Sequence, residues 1–220
     1  MQKTYVIGDI HGSLSKLRNL IARCERDADG QSMTLVFIGD YIDRGPDSRD
    51  VVEFVMKLHS RLRSNAICLM GNHEALALAA IESGMNAGNW LLNGGDMTLR
   101  SYGVSSARDL PTEHIAWFRS LQLRHDDGQR LFVHAGINPA KPLDAQDDHD
   151  LLWIREPFLS DGRDYGRLIV HGHTPTRTGM PDIRSNRLNI DTGAAYGHAL
   201  TAAVFTGRQI NPIAFIQASE

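Results

Sequence analysis

An α/β fold with parallel strands is the class that the sequence predicts, and three observations carry this prediction. The short apolar runs at residues 4–7, 33–38 and 66–70 have the length and composition of buried strands. Each run is followed by a glycine and then by a polar side chain. Each polar turn then leads into a stretch with helical spacing, and right-handed crossovers keep such strands parallel. The carboxyl ends of these strands should therefore share one edge of a sheet.

The first predicted strand ends in Gly8-Asp9-Ile10-His11-Gly12. Side chains two apart in an extended segment point to the same side, so Asp9 and His11 can converge on one ion. A carboxylate with an imidazole suits a divalent transition metal such as Mn, Fe or Zn. An Asp that supports the turn beside a surface His is the alternative for this motif alone. Ser13 is the predicted N-cap of a helix over residues 14–26.

The second predicted strand leads into Gly39-Asp40-Tyr41-Ile42-Asp43-Arg44-Gly45. Two carboxylates and a guanidinium this close to a strand end suit a site that holds a metal ion and receives a phosphate. An ordinary charged turn is the alternative for this segment on its own. A helix with its apolar residues mostly on one face is predicted after it, over residues 48–63.

The third predicted strand ends in Gly71-Asn72-His73-Glu74, and a helix is predicted over residues 75–83. Asn72 offers a neutral oxygen ligand, and His73 offers a proton near neutral pH. A capping Asn with a stray His explains one such turn, but it explains a third turn in the same register poorly. We therefore expect one cluster of polar groups at the sheet edge, made of Asp9, His11, Asp40, Asp43, Arg44, Asn72 and His73.

Two further imidazoles follow strands in the second half of the chain. A hairpin over residues 121–133 leads to His134, and a strand over residues 168–170 leads to His171-Gly172-His173. The remaining predicted β-structure lies at residues 187–190, 199–205 and 210–215.

The stretch over residues 84–103 is rich in glycine and asparagine. Two interpretations remain open from the sequence, a wall of the substrate pocket and a packed surface loop. In either case Trp90, Leu91 and Leu92 are expected to anchor it against the core.

Composition limits the class of protein. The 220 residues are 42% hydrophobic and 22% charged, which predicts one domain over residues 1–220. The net charge of −3 argues against a nucleic-acid partner, and the apolar runs are too short for a membrane partner. The first residues enter a strand without a signal-peptide pattern, and Cys24 and Cys68 occur in apolar contexts. The expected setting is therefore the reducing cytoplasm.

The strand-end residues define a candidate metal centre. Its six candidate ligands are Asp9, His11, Asp40, Asn72, His134 and His173. One carboxylate, Asp40, among oxygen and imidazole ligands indicates two ions that share it and activate a water for in-line attack. His73 is the candidate proton donor for the leaving group, with Asp43 orienting it. Arg44 would neutralise phosphoryl oxygens in the transition state.

Five sequence blocks together resemble the metal-dependent phosphoprotein phosphatases, the PPP family within the calcineurin-like metallophosphoesterases. The blocks are Gly8-Asp-Ile-His-Gly12, Gly39-Asp-Tyr-Ile-Asp-Arg-Gly45, Gly71-Asn-His-Glu74, His134-Ala-Gly136 and Gly172-His173. They follow the family's order over nearly the whole chain, whose length is similar to that of the bacterial and bacteriophage members. The resemblance implies a four-layer αββα fold, in which two central mixed β-sheets are flanked by helices.

The resemblance also implies roles for individual residues. It implies two divalent ions, with Mn²⁺ as the first choice and Fe or Zn as alternatives. One ion is implied at Asp9, His11 and Asp40, and the other at Asp40, Asn72, His134 and His173. His73 and Asp43 become the acid pair, and Arg155 joins Arg44 as a second phosphate contact. A surface salt bridge is the alternative for Arg155, and His171 is interpreted as a neighbour rather than a ligand.

The function implied by the resemblance is metal-dependent hydrolysis of phosphomonoesters, with a phosphoprotein or phosphopeptide carrying phosphoserine or phosphothreonine as the first choice of substrate. Phosphotyrosine and phosphohistidine stay open as alternatives. A symmetrical dinucleoside tetraphosphate hydrolase, which is similar in its metal blocks, is the nearest alternative. Such hydrolases tend to lack the Asp43-Arg44-Gly45 block and Glu74, and this sequence has both. A binding module without catalysis would lack a metal ligand or His73, and the sequence lacks neither.

Overall fold

Two five-stranded mixed β-sheets lie at the centre of the computed structural model, which describes residues 2–83 and 87–220. The strands are β1 (Lys3–Ile7), β2 (Met33–Phe37), β3 (Ala66–Cys68), β4 (Arg124–Asp126), β5 (Arg130–Val133), β6 (Leu168–His171), β7 (Asp182–Ile183), β8 (Arg187–Asn189), β9 (Leu200–Thr206) and β10 (Ala214–Ala218). The α-helices are α1 (Leu14–Ala28), α2 (Ser48–Leu62), α3 (Asn72–Ser83), α4 (Ala87–Trp90), α5 (Asp96–Tyr102), α6 (Thr112–Ser120) and α7 (Asp148–Trp153).

The strand order places the parallel strands of each sheet side by side. In sheet 1 the order is β10-β9-β1-β2-β3, and β1, β2 and β3 run parallel. In sheet 2 the order is β4-β5-β6-β8-β7, and β5, β6 and β8 run parallel. Polar turns that follow parallel strands lie at the carboxyl edge of the sheet, where ligands bind in open α/β sheets.

Alternation along the strands builds a four-layer molecule. Val6 and Val36 pack with Phe132 and Val170 of the other sheet, so the two sheets meet face to face. The opposite face of sheet 1, which includes Tyr5, packs against α1 and α2. The outer face of sheet 2 packs against α7 and the turns beside it. The predicted αββα fold, with two mixed sheets flanked by helices, is confirmed.

Some element bounds differ from the sequence-based prediction. Helix α3 begins at Asn72 rather than at residue 75, so Asn72 and His73 form its first turn. The last strand begins at Ala214 rather than at residue 210, because Ile210 and Ile213 are about half exposed and face no core. Ser13 occupies the N-cap of α1, but its side chain makes no capping hydrogen bond.

The stretch over residues 84–103 is helical where the structure describes it, so its interpretation as a loop is wrong. Residues 84–86 lie outside the described residues, and the rest forms α4, a π turn over Leu91–Gly95 and α5. Trp90 anchors this segment at 1% exposure. Leu91 and Leu92 are 38% and 90% exposed, so the prediction that they anchor the segment is also wrong.

Among the helices of residues 2–83 and 87–220, none has the length and apolar character that a membrane span requires.

Candidate metal centre and active site

The strand-end turns converge on Asp40. Its Oδ2 lies 3.2 Å from His11 Nε2, and its Oδ1 lies 3.4 Å from His134 Nε2. Two buried clusters with the spacing of metal ligands share this carboxylate, one formed by His11, Asp40 and His73 and the other by Asp40, His134 and His173. Sheet 1 supplies Asp40 and His11, whereas sheet 2 supplies His134 and His173, so the centre lies where the carboxyl edges of the two sheets meet.

Glycines allow the turns to approach one another this closely. A Cβ on Gly8 would lie 2.4 Å from the carbonyl oxygen of Ile190, and a Cβ on Gly172 would lie 2.0 Å from Asp9 Oδ1. Gly39 has a φ of 101°, and a Cβ there would lie 2.5 Å from the backbone nitrogen of Gly71. Any larger residue at these positions would push the strand ends apart.

Backbone carbonyls orient two of the imidazoles. His11 Nδ1 lies 2.8 Å from the carbonyl oxygen of Ile42, and His134 Nδ1 lies 2.9 Å from that of Ile38. Because a carbonyl only accepts, each Nδ1 carries the proton and each Nε2 turns a lone pair toward Asp40. Burial lowers the pKa of both imidazoles, which keeps them in the neutral form that a metal requires.

Asn72, Asp9 and His173 complete the predicted ligand set. Asn72 Oδ1 lies 2.8 Å from His134 Nε2 and 2.9 Å from His173 Nδ1. Asp9 Oδ2 accepts the backbone N–H of His173 at 3.0 Å. The remaining atoms, Asp9 Oδ1 and His173 Nε2, are buried without a hydrogen-bond partner among the described residues. Burial lowers the pKa of His173 to about 2, so this imidazole is neutral as well.

The charges at the centre suit divalent cations. Burial and the charges of Asp191 and Asp40 raise the pKa of Asp9 well above its usual range. Burial also raises the pKa of Asp40, but the surrounding imidazoles of His134, His73 and His11 outweigh it and hold this pKa well below the usual range. Buried carboxylates that repel one another, together with orphaned donor atoms of O and N type, fit metal ions of the Mn, Fe and Zn type.

His73 lies in the same cluster but has a different partner. Its Nδ1 lies 2.6 Å from Asp43 Oδ2, whereas its Nε2 lies 3.9 Å from Asp40 Oδ2 and has no hydrogen-bond partner within the described chain. Burial lowers the pKa of His73, but the charge of Asp40 and the hydrogen bond with Asp43 outweigh it and raise the pKa overall. A protonated imidazole with a free Nε2 is suited to donate a proton.

The two predicted phosphate-binding arginines differ in placement. Arg44 is half-buried, its guanidinium contacts His11 Nε2 and lies 5.6 Å from the Tyr196 ring, and its backbone N–H donates to Gly94 O at 3.2 Å. Arg155 is exposed, and no ion pair joins it to another of the described residues, so the predicted alternative of a surface salt bridge is not found there. Its charge does reach His173, whose pKa it helps to lower.

His171 lies on the outer side of strand β6, away from sheet 1. It is fully buried, its ring meets Phe158 edge-on at 5.0 Å, and its Nδ1 lies 3.2 Å from Gly172 O. By the alternation along β6, His171 shares with Ile169 the side that packs against Phe158, opposite to the side on which Val170 meets the other sheet.

Sequence reasoning missed two buried carboxylates. Glu74 belongs to the predicted motif Gly71-Asn72-His73-Glu74, but the sequence assigned it no role. In the structure its carboxylate accepts hydrogen bonds from backbone N–H groups of the turn that carries Asp40. Asp191 is 3% exposed, and its charge raises the pKa of Asp9. A signal for Asp191 exists, because it lies just after strand β8, as Asp9 and Asp40 lie just after β1 and β2, although Ile190 rather than a glycine precedes it.

Comparisons with known proteins agree with this architecture. The family profile described as calcineurin-like phosphoesterase matches residues 2–201. Serine/threonine-protein phosphatase 1 of Salmonella typhimurium is 34% identical over 211 residues, which are 90% of this chain and 90% of the relative. A crystal structure provisionally named a diadenosine tetraphosphatase aligns with a TM-score of 0.72 at 24% identity, over 98% of this chain and 93% of that one, which shows the shared fold.

Relatives with a second kind of substrate also match. A symmetrical bis(5'-nucleosyl)-tetraphosphatase of Pseudomonas syringae pv. syringae is 30% identical over 79% of this chain, which spans 55% of that relative. The asymmetrical bis(5'-nucleosyl)-tetraphosphatase PrpE of a Geobacillus species is 30% identical over 91% of this chain and 89% of its own length. These names differ in substrate but share one hydrolase family, which uses divalent metals. This chain belongs to the calcineurin-like phosphoesterase family.

Proposed function

We propose that this chain is a metal-dependent phosphomonoesterase that removes phosphate from phosphoserine and phosphothreonine side chains of proteins. The buried His73–Asp43 pair beside the Asp40 clusters carries this proposal. A serine or threonine alkoxide is a poor leaving group, and a positioned proton donor accelerates its departure by roughly 10²–10⁴-fold. The nucleotides released from dinucleoside polyphosphates leave as weakly basic phosphates and need this proton less. The Salmonella relative, similar over 90% of both chains, supports the same substrate class.

Two divalent cations, with Mn²⁺ as first choice, are proposed to bind the predicted ligand set. Asp9, His11 and Asp40 would hold one, and Asp40, Asn72, His134 and His173 the other. When bound, such a pair supplies an acidified water and offsets the charge of the phosphoryl group.

The chain's own residues are proposed to bind the phosphate and to move the proton. Arg44 would bind the phosphoryl oxygens, because its backbone is fixed by Gly94 and its guanidinium lies beside His11. Arg155 is exposed and can turn toward a bound phosphate as a second cation. His73 would give the proton on Nε2 to the leaving oxygen, while Asp43 holds the Nδ1–H.

A dinucleoside tetraphosphate hydrolase is the second candidate. The Pseudomonas and Geobacillus relatives support it. Tyr196 supports it as well, since its ring is 58% exposed beside Arg44 and offers a face on which a nucleobase can stack.

The deciding experiment is a substrate panel. The protein is stripped with a chelator, reloaded separately with Mn²⁺, Fe²⁺ or Zn²⁺, and assayed on phosphoserine, phosphothreonine and phosphotyrosine peptides, p-nitrophenyl phosphate and diadenosine tetraphosphate. We expect the highest kcat/KM on a phosphoserine or phosphothreonine peptide with Mn²⁺. A higher kcat/KM on diadenosine tetraphosphate would overturn the phosphoprotein assignment in favour of the second candidate.

Cys24 and Cys68 are both buried free thiols. We propose the cytoplasm as the setting, because thiols stay reduced there.

A further inference from the structure

Helices α4 and α5, with the π turn between them, form a segment that touches the His73–Asp43 pair at two points. This segment, residues 87–102, brings Trp90 Nε1 to 2.9 Å from Asp43 Oδ2 and 3.1 Å from Asp43 Oδ1. It also brings the Thr98 hydroxyl to 2.6 Å from Asp43 Oδ1. Asp43 and Thr98 are 0% exposed and Trp90 is 1% exposed, so water does not replace these bonds. Among the described residues, three side chains bind the Asp43 carboxylate, and the segment 87–102 supplies two of them.

The same segment also stabilises an uncommon backbone conformation at Asp43 and Arg44. Asp43 and Arg44 have φ values of 72° and 67°, in the left-handed region that non-glycine residues rarely occupy. The N–H of Asp43 donates to Thr98 Oγ1 at 2.9 Å and to Ser48 Oγ at 3.0 Å, and the N–H of Arg44 donates to Gly94 O. A strained pair of this kind persists only when its surroundings impose it. All three contacts come from α2 and the segment 87–102 rather than from the turn itself.

The donors around Asp43 determine which nitrogen of His73 carries the exchangeable proton. An indole N–H only donates, and the Thr98 hydroxyl donates to Oδ1 while it accepts from the Asp43 backbone. The carboxylate thus remains an acceptor, and the Nδ1–H of His73 donates to its Oδ2. His73 Nε2 then remains available beside the shared carboxylate, 3.9 Å from Asp40 Oδ2 and without a hydrogen-bond partner within the described residues.

A glycine in the same segment, Gly95, leaves the space that the Trp90 ring occupies. A Cβ on Gly95 would lie 2.5 Å from the Trp90 ring, so only a glycine allows the indole to lie flat against that turn. Core packing alone requires no indole nitrogen at this place. Trp117 shows the contrast, because its Nε1 is equally buried but has no partner in the described part of the chain.

We propose that Trp90 and Thr98 are positioning residues for proton donation, and that the segment 87–102 acts through Asp43 to aim His73 Nε2 at the leaving group. This proposal rests on the acid role of His73 given above, but not on which phosphate ester is the natural substrate. It gives the segment a role that neither a pocket wall nor a surface loop would have.

The test compares leaving groups. Trp90→Phe keeps most of the ring and removes the N–H, and Thr98→Val keeps the shape and removes the hydroxyl. Each variant is loaded with Mn²⁺, its metal content is measured, and kcat is determined on phenyl phosphate and on 2,4-dinitrophenyl phosphate. Trp117→Phe is the matched control, and Thr98→Ser is the rescue variant because it retains a hydroxyl.

We expect Trp90→Phe and Thr98→Val to lower kcat on phenyl phosphate by roughly 10-fold or more, the effect of a lost hydrogen bond to a charged group. The leaving group of 2,4-dinitrophenyl phosphate, 2,4-dinitrophenolate, departs without a proton. On this substrate the loss of kcat should stay below about 2-fold, because the positioning of His73 does not limit the rate. Metal content should match the wild type, and Thr98→Ser should recover most of the activity. Trp117→Phe should show no preference between the two leaving groups.

A double-variant comparison separates positioning from general structural support. In the His73→Asn background, Trp90→Phe should cause no further loss on phenyl phosphate, because its route to the leaving group is already gone. Equal losses on both leaving groups, or a full additional loss in the His73→Asn background, would overturn the positioning role alone. If His73→Asn itself shows no leaving-group dependence, the acid assignment fails, and this inference fails with it.

Discussion

Oε2 of Glu74 accepts a hydrogen bond from the backbone N–H of Asp40 at 3.0 Å. The same oxygen accepts the N–H of Gly71 at 2.9 Å, and Oε1 accepts those of Tyr41 at 2.8 Å and Ile42 at 3.2 Å. One buried carboxylate therefore joins the turn after β2 to the turn after β3. The backbone position of Asp40, the residue that both clusters share, therefore depends on the Glu74 side chain.

Glu74→Gln should destabilise the fold. A glutamine presents one oxygen where the wild type presents two, so at least two of these buried N–H groups lose their acceptor. Each unpaired group costs about 1–3 kcal/mol, and we expect the free energy of unfolding to fall by roughly 2–5 kcal/mol. Urea denaturation of the metal-free protein measures this. Glu82→Gln, an exposed change on the same helix, is the control and should stay near the wild type; an equal midpoint for both variants would contradict the bridging role.

Asp40→Asn should lose metal. The substitution removes the negative charge that both clusters share, so both proposed ions would lose a charged ligand at once. We expect metal affinity to fall by more than the roughly 10–100-fold typical of losing an outer partner. Metal content after dialysis against limiting Mn²⁺ gives the measurement, with the exposed Asp126→Asn as control. Retention of two ions per chain by Asp40→Asn would exclude a shared carboxylate.

His73→Asn separates the two roles that its position allows, since His73 lies in a metal-type cluster and also contacts Asp43. As the proton donor, its loss should lower kcat on alkyl or phenyl phosphates by roughly 10²–10⁴-fold. Metal content should remain close to that of the wild type. Loss of one ion from His73→Asn would instead identify His73 as a ligand.

Gly172→Ala should weaken the half of the centre that contains Asp9. The new Cβ would lie 2.0 Å from Asp9 Oδ1 and 2.8 Å from Ile38 Cδ1, so the carboxylate must move. We expect at least a roughly 10-fold weaker binding of one ion while the other is retained. Titration of the stripped protein with Mn²⁺ resolves the two steps. Gly162→Ala, where a Cβ meets nothing within 4 Å, should titrate like the wild type.

The metal-free protein should lose stability below about pH 6.5, the pKa of an unperturbed histidine. Burial, aided by the charge of Arg187, lowers the pKa of His171 to about 3. Between these two pH values the unfolded chain binds a proton that the folded chain does not, so stability falls as pH falls. For one group the slope is about 1.4 kcal/mol per pH unit.

Denaturation of the stripped wild type and of His171→Asn at several pH values tests this slope. His171→Asn should flatten the pH dependence by about one proton. Identical slopes for the wild type and His171→Asn would show that this imidazole is not held neutral in the fold.

The strand-end residues were predictable because the signal for each one is local. A glycine and a polar residue directly after an apolar run recur at Asp9, Asp40 and Asn72, and parallel crossovers bring such ends together. Asp191 also follows its strand, β8, closely, but Ile190 precedes it in place of a glycine, so the pattern of a glycine and a polar residue does not mark it.

The interpretation of the segment 87–102 as a loop was wrong because glycine and asparagine usually indicate loops. Its helices are stabilised by distant contacts instead, above all by Trp90, which is buried against Asp43. Propensity alone does not contain such contacts, and tertiary packing overrides it.

The amino-acid sequence by itself determined the α/β class, the family resemblance and the identity of the groups able to bind a metal, because each of these depends on short patterns read along the chain. Only the tertiary structure decided that Glu74 fixes the turn of Asp40, that Trp90 and Thr98 bind Asp43, and that Arg155 stays in solvent. The physical reason is that a buried polar group must find a partner wherever the fold places one, and here these partners lie 34 to 55 positions away along the chain.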